Sequence, residues 1–358
     1  MRPLRRLQAL KRNIKREFTP TSTPIQTEQP LSLSRDPSSS RATSVQTSTQ
    51  TSTQTSTQTS SAAELKAYRV PPQLTDTQIN DWLSPHHIVS PPPSQQRHQL
   101  FLFLSGSFGN PKNQTLLLWA AAQAGYHAVN LSYPNSWTVG GVCRRSSHPD
   151  CHELVRLSIL DGITRSDKFS VSAENSLYNR LSKLLMYLKQ QHKGENWENY
   201  LAADQPHAGG INWERIVVAG HSQGGGHAAL IAKQHLVARC IMLGAPADFS
   251  AKQKTLAPWL SGPHATPAER YYGFTHAQDK SIQRILAAWK CLGLNEFGSP
   301  VNVDQSADGL YQHSHQLITN VRPSRPGKYH GCVAVDANTP LRPDGTPAFA
   351  PVWQYLLS

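Results

Sequence analysis

The chain has 358 residues, a formal net charge of +12 and only 38% hydrophobic residues. That apolar shortfall is local. Residues 1–62 carry few large apolar side chains beyond the first 18, whereas residues 63–358 have a globular composition and the length to bury a substantial core. The charge is uneven too: residues 1–62 hold nine Lys/Arg against three acids, which is half of the net excess. The remainder is spread thinly, with no basic run and no nucleic-acid motif, which speaks against a nucleic-acid partner. No stretch of 18 apolar residues predicts a transmembrane helix. The basic start is not followed by an apolar secretory h-region, so the reading leans toward the cytoplasm.

In chain order, residues 1–18 space Leu4, Leu7, Leu10, Ile14 and Phe18 three or four apart, with basic residues on the other face. Such a segment is either a basic tail or a peripheral membrane contact on an anionic surface. Residues 19–62 are rich in Ser, Thr, Gln and Pro and repeat Thr-Ser-Thr-Gln over 47–60. That composition cannot form a core and predicts a disordered linker. From 63 onward the pattern changes. The apolar run 100–104 (LFLFL) predicts a buried strand, 116–124 a helix, and 126–131 a second strand. Residues 136–172 lack a clear period and read as an insertion. An amphipathic helix is predicted over 173–191, on Leu177, Leu181, Leu184, Leu185 and Leu188. Further strands are predicted at 215–219, 240–243, 271–275 and 316–320, and helices at 282–292 and 348–357. Strands alternating with helices predict an α/β domain: a doubly wound, mostly parallel sheet covered on both faces.

The most informative stretch is Arg215-Ile-Val-Val-Ala-Gly220-His221-Ser222-Gln223-Gly224-Gly225-Gly226. It holds Gly-x-Ser-x-Gly between a predicted strand and a predicted helix. At a sharp strand-to-helix turn the central Ser is strained and exposed, and the residues two before and two after must be small. The helix N-terminus then points its N–H groups at a reacting oxygen. On this elbow, on 100–104 with Ser105-Gly106-Ser107-Phe108-Gly109-Asn110-Pro111, and on the segments around Asp279 and His330, residues 97–358 resemble the α/β-hydrolase superfamily, and within it a bacterial branch.

The resemblance implies a serine hydrolase with chain order Ser, acid, His. Ser222 is then the nucleophile. A serine hydroxyl needs a base, and the base an orienting acid. His330, in a loop ahead of the last helix, is the expected base, with His313 and His315 as rivals. Asp279, just after the strand 271–275, is the expected acid, with Asp248 as runner-up. The oxyanion hole is expected from the backbone N–H groups of Gln223 and Ser107, with Phe108 as the alternative to Ser107. The implied substrate is a small-molecule ester. Thioester hydrolysis, acyl transfer and a non-catalytic binding role stay open on the same fold. No metal or organic cofactor is implied.

One rival cluster lies in the insertion. Cys143, His148, Cys151 and His152 are zinc-ligating types, but their spacing matches no zinc motif. A Cys143–Cys151 disulfide is the better expectation, although it needs an oxidising compartment, in tension with the missing signal sequence. The insertion could border the pocket, and residues 251–270 could form a small lid.

Overall fold

The six strands predicted from the sequence lie side by side within the parallel part of one sheet. The structure is a computed structural model and describes residues 64–166, 169–202, 210–306 and 309–358, which fall in one compact unit, Glu64–Ser358. The amphipathic reading of 1–18 and the linker reading of 19–62 lie outside the described residues.

The strands, in chain order, are β1 (Lys66–Val70), β2 (His86–Ser90), β3 (Leu100–Leu104), β4 (His127–Leu131), β5 (Ile216–His221), β6 (Arg239–Leu243), a short hairpin β7 (Phe249–Ser250) and β8 (Thr255–Leu256), then β9 (Tyr271–His276), β10 (Val301–Asn302) and β11 (Gln316–Thr319). The main sheet runs β1-β2-β4-β3-β5-β6-β9-β11-β10. Pairing is antiparallel for β1–β2 and β2–β4 and parallel from β4 across to β10. The helices are α1 (Pro72–Thr75), α2 (Thr115–Gln123), α3 (Val139–Cys143), α4 (Cys151–Asp161), α5 (Leu177–Gln191), α6 (Gln223–Gln234), α7 (Ile282–Cys291) and α8 (Ala350–Leu357).

The period-two geometry of a strand divides the core. Leu100, Leu102 and Leu104 enter one apolar layer, with Val218 and Met242 and the buried side of α5. Phe101 and Phe103 enter the other, with Val217, Ile241 and the residues of α2 and α8. Both faces of β3 are therefore dry, which is why it reads as an unbroken apolar run. Each of these fully buried Leu or Phe side chains contributes roughly 1.5–3 kcal/mol relative to exposure. Within α5, Ser176 caps the first turn by accepting from the Asn179 N–H, so the helix starts at Leu177 rather than at 173.

Two regions differ from the sequence reading. Residues 64–99 hold two antiparallel strands that the apolar pattern did not reveal, because β2 carries buried polar groups: His86 accepts from the Ser132 N–H through Nδ1. The insertion 136–172 is not periodless loop. It contains α3 and α4, joined by a Cys143–Cys151 disulfide with a Cα separation of 5.7 Å. Both sulfurs are thereby bonded to each other, which removes the zinc reading of this cluster. Among the described residues no group of three or more His, Cys, Asp or Glu is placed to hold a metal ion, and no helix is long and apolar enough to cross a membrane.

Candidate active site

Strand β5 lies between β3 and β6 and ends at His221. The next residue, Ser222, has φ 54° and ψ −119°, and α6 starts at Gln223. A non-glycine residue at such a positive φ is strained and persists only where its surroundings hold it. Here the Ser222 N–H donates to the Leu243 carbonyl at 2.9 Å, and the Ser222 carbonyl accepts from the Gly226 N–H at 3.1 Å. The flanking glycines are required by space. A Cβ on Gly220 would sit 2.3 Å from the Gly224 carbonyl carbon, and one on Gly224 would sit 2.0 Å from the Leu104 carbonyl oxygen. The Gly-x-Ser-x-Gly of the sequence is therefore a steric requirement of a turn from the central parallel strand into a buried helix. With the strand order, the turn settles the architecture.

The chain has the α/β-hydrolase fold.

Ser222 opens onto a cleft of about 450 Å³ that is also lined by Ser107, Gln223, Gly244 and His330. The Ser222 hydroxyl makes no hydrogen bond among the described residues. His330 stands in the loop between β11 and α8, its side chain 44% exposed. Its Nδ1 lies 2.6 Å from Asp279 Oδ2. Gly244, at φ 59°, leaves room for that ring: a Cβ there would approach His330 Cε1 to 3.3 Å. Asp279 follows β9 by three residues. It is 3% exposed, and its Oδ1 accepts from the Ser281 N–H at 2.8 Å. Burial pushes its pKa up, but the hydrogen bond and charge of His330, with the Ser281 N–H, outweigh burial and hold the carboxyl below its usual value. A carboxylate accepting from Nδ1 leaves the proton-accepting lone pair on His330 Nε2, which has no partner among the described residues.

The rivals lie elsewhere. His315 is buried, stacked between Tyr272 and Phe297 at 3.9 and 4.5 Å, and neither it nor His313 lines the cleft. Asp248, after β6, does reach the cleft wall, yet both of its oxygens are occupied. Arg156 Nη2 donates to Oδ1 at 2.6 Å and Nε to Oδ2 at 2.7 Å, while Trp259 Nε1 also donates to Oδ2, at 3.0 Å. The Arg156 charge keeps Asp248 ionised against the opposing effect of burial.

For the oxyanion donors, the structure separates Ser107 from Phe108. The Phe108 N–H donates to the Asn135 carbonyl at 2.8 Å, so it is engaged. The N–H groups of Ser107 and Gln223 have no acceptor among the described residues, and both residues line the cleft. Their side chains are tied together, Ser107 Oγ donating to Gln223 Oε1 at 2.8 Å, and that same oxygen accepts from the Val139 N–H at 3.0 Å. Asn135 holds the loop from below, donating to the carbonyls of Gly106 and Gly109 at 2.9 and 3.0 Å.

Three residues of the site were not read from the sequence. Arg156 of α4 donates through Nη1 to the Gln223 carbonyl at 2.9 Å, bracing the start of α6. Its trace in the sequence is Gly226, one glycine more than the elbow needs: a Cβ there would lie 2.2 Å from Arg156 Nη2. His221 is buried and its pKa is pushed down to about 3, mainly by desolvation. It is neutral, and its Nε2–H donates to the His330 carbonyl at 2.9 Å, anchoring the loop that carries His330. Arg284, in the first turn of α7, stacks over Phe249 at 4.4 Å on the cleft wall. The insertion contributes Thr138, Val139, Gly140, Arg144, His152 and Arg156 to the wall, whereas of residues 251–270 only Ala251 does so. The lid expected from 251–270 is thus mostly beside the cleft, with Trp259 and Leu260 buried.

No family model matches the chain, and no curated protein matches it. Solved structures do resemble it. A putative dienelactone hydrolase from Klebsiella pneumoniae is 11% identical, covering 72% of this chain and 86% of that one, with a TM-score of 0.35. An S-formylglutathione hydrolase from Agrobacterium tumefaciens is 15% identical, over 72% of this chain and 85% of that one, with a TM-score of 0.36. A thermophilic carboxylesterase cloned from a metagenomic library is 11% identical, over 75% and 81%, with a TM-score of 0.34. At such identities no residue correspondence is carried over; the fold is identified by this chain's own strand order and elbow.

Proposed function

We propose that the protein is a serine hydrolase that cleaves a carboxylic ester through an acyl-enzyme. The observation that carries this reading is the shared cleft of Ser222 and His330, with Asp279 on the far side of the imidazole at 2.6 Å. His330 Nε2 takes the proton of Ser222 as its Oγ attacks the ester carbonyl carbon. Asp279 holds the Nδ1–H tautomer and stabilises the imidazolium that forms. Charge developing on the carbonyl oxygen falls to the N–H groups of Gln223 and Ser107, which cost no reorganisation because both are already without an acceptor. The imidazolium returns its proton to the departing alkoxide. Water, deprotonated by His330, then attacks the acyl carbon and frees the acid and Ser222.

A fluorophosphonate probe tests the reading. Labelling of the full chain that disappears in Ser222→Ala is the expected result; a well-folded wild type that takes no label would overturn it. An acyl-chain panel of chromogenic esters, with the same variant as control, measures turnover.

A further inference from the structure

We propose that the substrate of this site carries an anionic group besides its ester, held between Arg144 and Arg284; the proposal rests on the ester-hydrolase reading above. The cleft beside Ser222 is cationic. Arg144, Arg156 and Arg284 line it, and Asp248 is its only carboxylate among the described residues. That carboxylate is spent, since Arg156 and Trp259 occupy both of its oxygens. Arg156 is spent with it.

The other two guanidiniums are not. Arg144 closes α3 and Arg284 lies in the first turn of α7; both are exposed, and neither has a carboxylate partner among the described residues. Nor does any neighbouring residue neutralise them from within the cleft. His152, also on the wall, is buried and its pKa is lowered chiefly by desolvation, so it stays neutral. Arg284 is also held in place, its guanidinium stacked on the Phe249 ring. Two cations from different elements, facing one solvent-filled concavity with protein walls, concentrate their field there and draw in a small anion.

Guanidinium groups suit planar or tetrahedral oxyanions, to which they donate in pairs. The chemistry recognised is therefore a carboxylate, phosphate or sulfate borne by the acid or the alcohol side of the ester. The wall also carries Val139, Ala247, Phe249 and Ala251, apolar surface that the uncharged part of such a substrate can cover.

The test compares para-nitrophenyl adipate, a monoester with a terminal carboxylate, with an uncharged isostere in which an isopropyl group replaces the carboxylate. A third ester carries a phosphonate there and separates the two anions. Rates are corrected with Ser222→Ala. The full-length wild type is expected to favour an anionic ester in kcat/KM by about tenfold or more, as charged hydrogen bonds would provide. That ratio should collapse toward one in the Arg144→Gln/Arg284→Gln double variant, whose melting temperature verifies folding. A ratio at or below one in the wild type, or the same ratio in the double variant, overturns the proposal while Ser222-dependent turnover of the neutral ester leaves the hydrolase reading standing. Should the probe label Ser222 but neither ester turn over, protection from labelling replaces turnover as the readout. Adipate must then slow labelling more than its neutral isostere does, and equal protection overturns the proposal. Absence of both labelling and turnover overturns the hydrolase reading first, and this proposal with it.

Discussion

The loops after β6 and after β9 each present a buried aspartate within a few residues of a strand end, and the two meet partners of opposite character. Asp279, after β9, accepts from His330, a half-exposed side chain that faces the cleft. Asp248, after β6, accepts from Arg156, which is itself 3% exposed and braces the Gln223 carbonyl. Both carboxyls are held below their usual range by a cationic or hydrogen-bonding partner that outweighs burial. What differs is whether the partner can move a proton. An imidazole bonded to one carboxylate still has a nitrogen to offer; a guanidinium bonded to two oxygens has none, because it does not deprotonate in proteins. The same residue type at the end of neighbouring strands thus meets a partner that can exchange a proton in one loop and one that cannot in the other.

The largest test of that contrast is Asp279→Asn. It should lower kcat by on the order of 10³–10⁴, as expected when an orienting acid is replaced and the wrong tautomer is favoured. Its urea-unfolding midpoint should move less than that of Asp248→Asn, since His330 stays half-exposed where Arg156 is buried. An equal loss of stability and activity would erase the distinction between the loops.

Next in size is Asp248→Asn, which should cost about 3–5 kcal/mol of stability by leaving Arg156 buried without a counter-ion. A matched apolar pair, Arg156→Met with Asp248→Leu, should be less destabilising than the single change. Denaturant melts decide both, and a single variant as stable as wild type would show that the pair does not brace the fold.

Acidification should expose both loops together. A depressed folded pKa means stability that is fully present above the unfolded value of 3.8 and is lost as pH falls through the folded value. The loss starts earlier because His86 and His221, pushed down to about 3, are buried neutral and favour the unfolded chain once pH drops below the ordinary 6.5. Unfolding midpoints measured from about pH 7 to pH 3 should fall throughout, and the limb below about pH 4 should flatten in Asp248→Asn.

The smallest effect concerns the disulfide between α3 and α4. Opening it with Cys143→Ser and Cys151→Ser should cost up to about 2–3 kcal/mol by the chain-entropy model for a short loop. The change should weaken the Arg156 side of the cleft and spare the His330–Asp279 contact. Hydrogen exchange localised to α4 would support that; exchange spread to the loop carrying His330 would argue that the two sides are coupled.

Much of the site was legible because it is local. Ser222 and its glycines follow one another in the chain, and the buried strand before them announces itself as an apolar run. The superfamily resemblance implied a pairing of Asp279 with His330, and the two side chains lie 2.6 Å apart. The first two strands were not legible, since β2 buries two polar residues, His86 and His87, where an apolar run would mark a strand. Nor was the helical content of the insertion, because the buried face of α4 carries the polar His152, Arg156 and Ser158 beside Val155, Ile159 and Leu160.

By itself the sequence determined the parallel sheet and the elbow, because both rest on local sterics and on apolar periodicity along a few consecutive residues. Only the tertiary structure decided which aspartate meets His330. It likewise decided that Phe108 is not a spare donor, that Arg156 braces α6, and that two arginines are left facing the cleft. Those outcomes depend on contacts between segments distant in the chain, such as His330 with Asp279 at a separation of 51, Arg156 with Gln223 at 67 and Arg156 with Asp248 at 92. No local pattern encodes which partner such a group will find.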